Sequence, residues 1–284
     1  MRYTKSILSL SIVGACAAVA TAQNVVYSNN PTPGDFFTNP GSSAANQMIT
    51  GFTGPDGEVF TYRETKNGSS VGINTNNPYM GNGSVWFNAN GLAQKSEIAM
   101  STSFSPAGDS TGTLGSFDSL SAFSADTMTI GTNVGNGSVD LRLELWNGTT
   151  YGSLVFDTSW TPSHSPTVTN GVWTTYDILG SNYWLRATSG INTLYDPGTG
   201  TNHERTWTDW KNILSGHGYQ VISVNAGVGT FDGQFEGAMD NLTVGFGANV
   251  QSFNFEAAPV PEPASLSILG LGLFGLIRRR RAKK

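Results

Sequence analysis

The sequence predicts an all-β fold, a single antiparallel β-sandwich over residues 23–258, from three observations. Apolar residues recur at alternate positions in short runs, the period of a strand with one buried face. Asn-Gly pairs punctuate those runs and supply the positive φ that tight hairpin turns need. Gly, Asn, Ser and Thr are abundant and helix-forming stretches are few, so the alternation has no helical competitor of any length. The body of 236 residues is long for one domain, but sandwiches reach this size as one unit.

Taken in order, the runs at 59–63 (Val-Phe-Thr-Tyr-Arg) and 84–87 (Ser-Val-Trp-Phe) are predicted strands. In the run at 138–146, Val139, Leu141, Leu143 and Leu145 share one face and Asp140, Arg142 and Glu144 the other. That pattern predicts one buried face and one wet face. Asn67-Gly68, Asn82-Gly83, Asn136-Gly137 and Asn147-Gly148 are predicted turns; the Ser or Thr that follows makes a nominal glycosylation sequon, read here as turn chemistry. Further strands are expected at 153–156, 173–178, 183–187, 220–224 and 241–246. Residues 206–214 are expected as a short helix with Trp207, Trp210 and Leu214 on one side. Many strands and frequent turns give two packed sheets.

Both ends of the chain depart from this pattern. Arg2 and Lys5, a mostly apolar stretch at 7–19 and Ala20-Thr21-Ala22 form a secretory signal peptide over residues 1–22, with cleavage expected between Ala22 and Gln23. Export would then use the Sec translocon and signal peptidase. The apolar part is too short for a permanent membrane helix. Cys16, the only cysteine, lies inside this peptide, so the mature protein has no thiol, no disulfide and no cysteine chemistry.

At the other end, residues 259–284 hold Val260-Pro261-Glu262-Pro263, an uncharged apolar run at 264–277, and the basic cluster Arg278, Arg279, Arg280 and Arg281 before Ala282-Lys283-Lys284. Proline fixes φ and removes a donor, which keeps the tripeptide extended and open to a processing enzyme. Fourteen apolar residues fall short of the roughly 20 that span a bilayer core, and the basic cluster holds the tail on the cytoplasmic side. This three-part order resembles the PEP-CTERM sorting signal of Gram-negative bacteria. The resemblance implies export across the inner membrane, a transient anchor through a short C-terminal membrane-sorting helix, and processing by an exosortase-type enzyme before arrival at the cell surface or extracellular matrix. A plain tail anchor is the alternative.

Without its ends the body carries seven Lys and Arg against nineteen Asp and Glu, a formal charge of −12. Seven scattered cations argue against nucleic acid as a partner. Such acidity is compatible with calcium, and equally with plain solubility.

The closing stretch, Gln220-Val221-Ile222-Ser223-Val224 and then residues 235–244 with Met239-Asp240-Asn241-Leu242, resembles the end of lectin-like and laminin-G-like jelly rolls. The resemblance implies a jelly-roll form of the sandwich. It also implies that Asp240, with Asn241, contributes to a structural calcium (Ca2+) site. An Asp-Asn pair before a strand also has the simpler role of capping a turn.

No catalytic constellation stands out. Asp140 and Glu144 lack the third carboxylate of a single-strand glycosidase motif; Asp232, Glu236 and Asp240 share parity, but Gly233 and Gly237 interrupt the strand. His164, His203 and His217 sit in no zinc-binding spacing, and Gly227–Gly233 has no lysine and helix after it to cradle phosphate. Aromatic rings remain, since sugars stack their C–H faces on exposed Trp or Tyr while polar groups bond the hydroxyls. Trp184, Trp207 and Trp210 are the candidate platforms. The expectation is a non-catalytic surface protein that binds extracellular polysaccharide or another glycan. A purely structural biofilm or matrix protein, and a divergent glycan-active hydrolase or lyase, stay open as alternatives.

Overall fold

A computed structural model describes residues 23–91, 93–131, 137–159, 164–195, 203–229 and 234–259. The predicted signal peptide up to Ala22 and the sorting segment with Val260, Pro261, Glu262, Pro263 and residues 278–281 lie outside these, as does Asn136. Among the described residues no helix is long and apolar enough to cross a membrane.

The strands in chain order are β1 (Asn24–Pro31), β2 (Phe37–Thr38), β3 (Ala45–Met48), β4 (Val59–Lys66), β5 (Ser70–Asn74), β6 (Ser84–Asn90), β7 (Lys95–Ser101), β8 (Gly115–Ser116) and β9 (Leu120–Ile130). They continue as β10 (Asp140–Trp146), β11 (Tyr151–Phe156), β12 (Thr174–Asp177), β13 (Trp184–Ser189), β14 (Glu204–Thr206), β15 (Gln220–Val228), β16 (Gln234–Phe246) and β17 (Asn249–Ala258). Two helices, α1 (Gly190–Tyr195) and α2 (Trp207–Leu214), flank β14.

Two sheets result. The first runs β1-β17-β16-β6-β5-β2, with β9 pairing β16 and β12; the second runs β14-β13-β11-β10-β15-β7-β4-β3, with β8 on β15. Pairing is antiparallel except where β1 lies parallel to β17. Phe60 of β4 meets Phe253 and Phe255 of β17 edge-on, with ring centroids 5.3 and 5.4 Å apart, so the inner faces of the two sheets close on each other. Leu141, Leu143 and Leu145 of β10 and Phe235 and Met239 of β16 share that core.

Helix α2 forms where its pattern predicts. The Thr206 hydroxyl accepts from the Asp209 amide at 3.2 Å as N-cap, and Trp207, Trp210 and Leu214 are buried. Asn67-Gly68 is a two-residue turn between β4 and β5 with both φ positive, 56° and 85°. At Asn147-Gly148 the Asn147 side chain accepts from the Thr149 and Thr150 amides. Asn82-Gly83 departs from the expectation: the positive φ belongs to Gly81, and Gly83 instead allows close approach, since a Cβ there would stand 2.5 Å from the Ala257 nitrogen.

The wet face predicted for 138–146 is also corrected. Asp140 and Glu144 are buried along with the leucines opposite them. The outer face of β10 is covered by a charged network.

Candidate functional site

Strand register brings that network together. On the outer face of the second sheet, Arg63 of β4 stands opposite Glu97 of β7, Glu97 opposite Gly227 of β15, and Gly227 opposite Asp140 of β10. One position along, Asn225 of β15 faces Arg142 of β10, which faces Val155 of β11, which faces Arg186 of β13. Gly227 makes room here: a Cβ would lie 2.4 Å from the Ser96 carbonyl oxygen and 2.9 Å from Glu97 Cγ. Side chains from β7 and β10 therefore meet over β15.

The Arg63 Nε donates to Glu97 Oε2 at 3.0 Å, and its two terminal nitrogens donate to the Glu144 carboxylate. Arg142 Nη1 and Lys95 Nζ hold Glu97 Oε1 at 2.8 and 2.9 Å, and Asn225 Nδ2 donates to Glu144 Oε1 at 3.0 Å. Burial alone would push the Glu97 carboxyl up, but Arg142, Lys95 and Arg63 outweigh it and hold it well below the usual carboxylate range. Burial likewise opposes the charge on Arg63, and Glu97 and Glu144 overcome that and raise it.

A bulge in β4 shapes one side of the site. The register slips between Arg63 and Lys66, and Glu64 takes φ 57°, rare for a residue with a side chain. Glu64 pairs with Lys95 at 3.3 Å. The resulting trough has two adjacent parts. A groove of about 530 Å3 lies between Arg63, Glu144, Trp146, Tyr151 and a wall at 109–113. A second of about 360 Å3 continues past Lys95, Arg142, Asp157 and Arg186, and Glu64 and Tyr151 line both. Trp146 and Tyr151 face each other across β10 and β11 and remain 39% and 43% exposed. Burial first and the nearby Glu144 carboxylate second raise the Tyr151 pKa.

The sequence-predicted candidates fall elsewhere. Trp210 is 0% exposed and its indole Nε1 donates to the Leu185 carbonyl at 2.8 Å; Trp207 is buried against Phe117 with centroids 5.4 Å apart. Both are core residues holding α2, not platforms. Trp184 is half-buried, and one face of its ring stacks on His164 at 4.0 Å.

Asp240 and Asn241, the expected calcium ligands, lie together at a strand junction. Asp240 is 0% exposed. Its Oδ1 accepts from the Asn241 and Phe255 amides at 2.7 and 3.0 Å, and its Oδ2 from the Met80 amide at 3.1 Å, so N–H donors occupy the positions a cation would need. The Asn241 amide group donates to Asp126 at 2.8 Å, and its backbone, at φ 50°, forms a bulge against β9. The pair sits where β16 exchanges its neighbour β6 for β17, and it satisfies backbone donors at that junction. Among the described residues no group of three or more His, Cys, Asp or Glu is placed to hold a metal.

Sequence reasoning missed Arg63, Glu97, Trp146 and Tyr151. A signal was present: Asp140, Arg142, Glu144 and Trp146 alternate on one face in a chain with only 12% charged residues.

No curated protein matches the chain. Among solved structures, the native family 12 xyloglucanase from Bacillus licheniformis is similar at TM-score 0.35 and 13% identity, covering 75% of this chain and 100% of that one. A likeness of that size carries no argument about function. The model of the PEP-CTERM protein-sorting motif family matches residues 259–281, which include Pro261-Glu262-Pro263, the uncharged run and the four arginines. The chain therefore carries a PEP-CTERM protein-sorting motif and is an exported, exosortase-sorted protein.

Proposed function

We propose that the β-sandwich is a surface or matrix module that binds an extracellular glycan in the trough without altering it chemically. The observation that carries this reading is the exposed ring pair Trp146 and Tyr151 beside a polar groove in which Glu144 is held by Arg63 and Glu64 by Lys95. Rings offer stacking faces and the groove offers acceptors and donors for hydroxyls, which is the chemistry a sugar chain needs.

The same geometry favours binding over hydrolysis. A glycosidase needs one carboxyl that keeps its proton near neutral pH and a partner across the sugar. Arg63 bridges Glu97 and Glu144, and Glu97 is shifted toward stronger acidity rather than weaker.

The test is a glycan array with the full chain, exported, purified in mild detergent and checked by a cooperative melt. Saturable binding that Trp146→Ala removes is expected, with and without EDTA. Absence of binding by the folded protein would favour a purely structural matrix role, and release of shortened chains would establish an enzyme.

A further inference from the structure

We infer that the trough takes an extended, uncharged polysaccharide chain laid across the strands, a refinement that rests on the glycan-binding reading above. Five of the seven Lys and Arg of the exported body, namely Arg63, Lys66, Lys95, Arg142 and Arg186, line this one face. Such a concentration in a body of charge −12 would suit an anionic polymer if the cations were available. Three are committed. Arg63 is held by Glu97 and Glu144, Lys95 by Glu64 and Glu97, and Arg142 by Glu97.

The same face carries six carboxylates, Glu64, Glu97, Asp109, Asp140, Glu144 and Asp157. A uronate entering the trough would have to displace a buried carboxylate from its guanidinium or lie beside another acid such as Asp109, and the rest of the body would repel its approach. The cations therefore neutralise the floor instead of recruiting an anion. What the trough presents outward is charge of both signs, the exposed threonines Thr111 and Thr113, and two rings.

Shape sets the second half of the inference. The two grooves lie side by side, share Glu64 and Tyr151 in their lining, and together extend from β4 to β13. That path crosses five inter-strand steps of about 4.8 Å, roughly 24 Å in all. A monosaccharide would fill a small part of it.

The experiment titrates the full folded chain with neutral probes (β-glucan, xylan and mannan oligomers from dimers to octamers) and with alginate and polygalacturonate, each at low and high salt. Expected are affinity for a neutral series that rises with chain length, a change in Kd below about twofold with salt, and no uronate binding. Glu64→Gln, a rim substitution that frees Lys95 from one partner, should admit uronates with a gain of about two- to fivefold. Uronate binding that falls about tenfold with salt would overturn the inference while leaving glycan binding intact. A wild-type chain that prefers dimers, or a Glu64→Gln chain as closed to uronates as wild type, would also overturn it. Binding to neither class would overturn the glycan reading itself.

Discussion

The guanidinium of Arg63 on β4 reaches the carboxylate of Glu144 on β10 across two intervening strands, β7 and β15. Both side chains lie along the sheet rather than standing on it, and Glu97 and Asn225 fill the strands between. A face that alternation marks as solvent-exposed is thereby converted into a second, polar core beneath the trough. Buried ion networks of this kind add little net stability over an apolar equivalent, but breaking one leaves an uncompensated charge.

Arg63→Met tests that asymmetry. Methionine keeps much of the stem's packing and removes the charge that Glu97 and Glu144 share. The expected loss is about 3–5 kcal/mol in denaturant unfolding, together with loss of glycan binding. A loss under about 1 kcal/mol would mean that solvent already screens the network.

Stability should respond to pH through two carboxylates with opposite signs. Glu97 is lowered, so its contribution is present at neutral pH and is lost only as pH falls below the ordinary carboxylate range. Asp240 is raised from 3.8 to about 6, by burial first; the amides of Phe255, Asn241 and Met80 pull it down and Glu256 pushes it up. Its contribution is therefore full below pH 3.8 and is lost as pH rises through about 6, a change of about 3 kcal/mol. Asp240→Asn should weaken the fold overall, since one oxygen is lost to the Met80 amide, and should flatten the slope between pH 4 and 7. Parallel slopes for wild type and variant in chemical denaturation would refute the assignment.

Two tryptophans should separate binding from folding. Trp146→Ala removes an exposed ring and should abolish glycan binding with a midpoint change of about 0.5 kcal/mol or less. Trp210→Ala removes a fully buried ring and the bond to Leu185, and should cost about 3–5 kcal/mol. Equal stability losses in thermal melts would contradict the placement of the two rings.

Sorting predicts a shortened C-terminus. Mass analysis of the protein recovered from the surface of its host should find material lacking residues 278–284, and replacing Pro261-Glu262-Pro263 with alanines should retain them. Intact tails on all surface protein would leave a simple membrane anchor.

Sequence pattern reached the fold because alternation and turn chemistry are local. Leu141, Leu143 and Leu145 name a strand unaided, and Thr206 with Asp209 names a helix start. It reached the sorting motif for the same reason. The trough is not local: Arg63, Glu97, Glu144 and Asn225 come from four strands that only register brings together. Tryptophan exposure was legible only in part: Trp146 shares the parity of Asp140, Arg142 and Glu144, and Trp210 the apolar side of α2 with Trp207 and Leu214. Asp240-Asn241 was visible as a pair, but its role depends on where β6 gives way to β17.

Asn46 joins the floor of the trough to its wall, and its removal should loosen the site without touching the ligand. Its Oδ1 accepts from the Glu64 amide at 3.1 Å, supporting the bulge that sets φ 57°. Its Nδ2 donates to the Ala107 carbonyl at 2.7 Å, and Gly108 packs so closely that a Cβ there would stand 2.4 Å from Asn46 Cγ. Asn46→Ala removes both bonds at an expected cost of about 1–2 kcal/mol. The loop at 105–109 should then exchange its amide hydrogens faster, while the core amides of β10 keep their protection. Affinity for the preferred neutral oligomer should fall about three- to tenfold, since the wall must be ordered on binding. Unchanged exchange at 105–109 together with unchanged affinity would mean that the wall stands without Asn46 and that the Glu64 bulge is held by its strand neighbours alone.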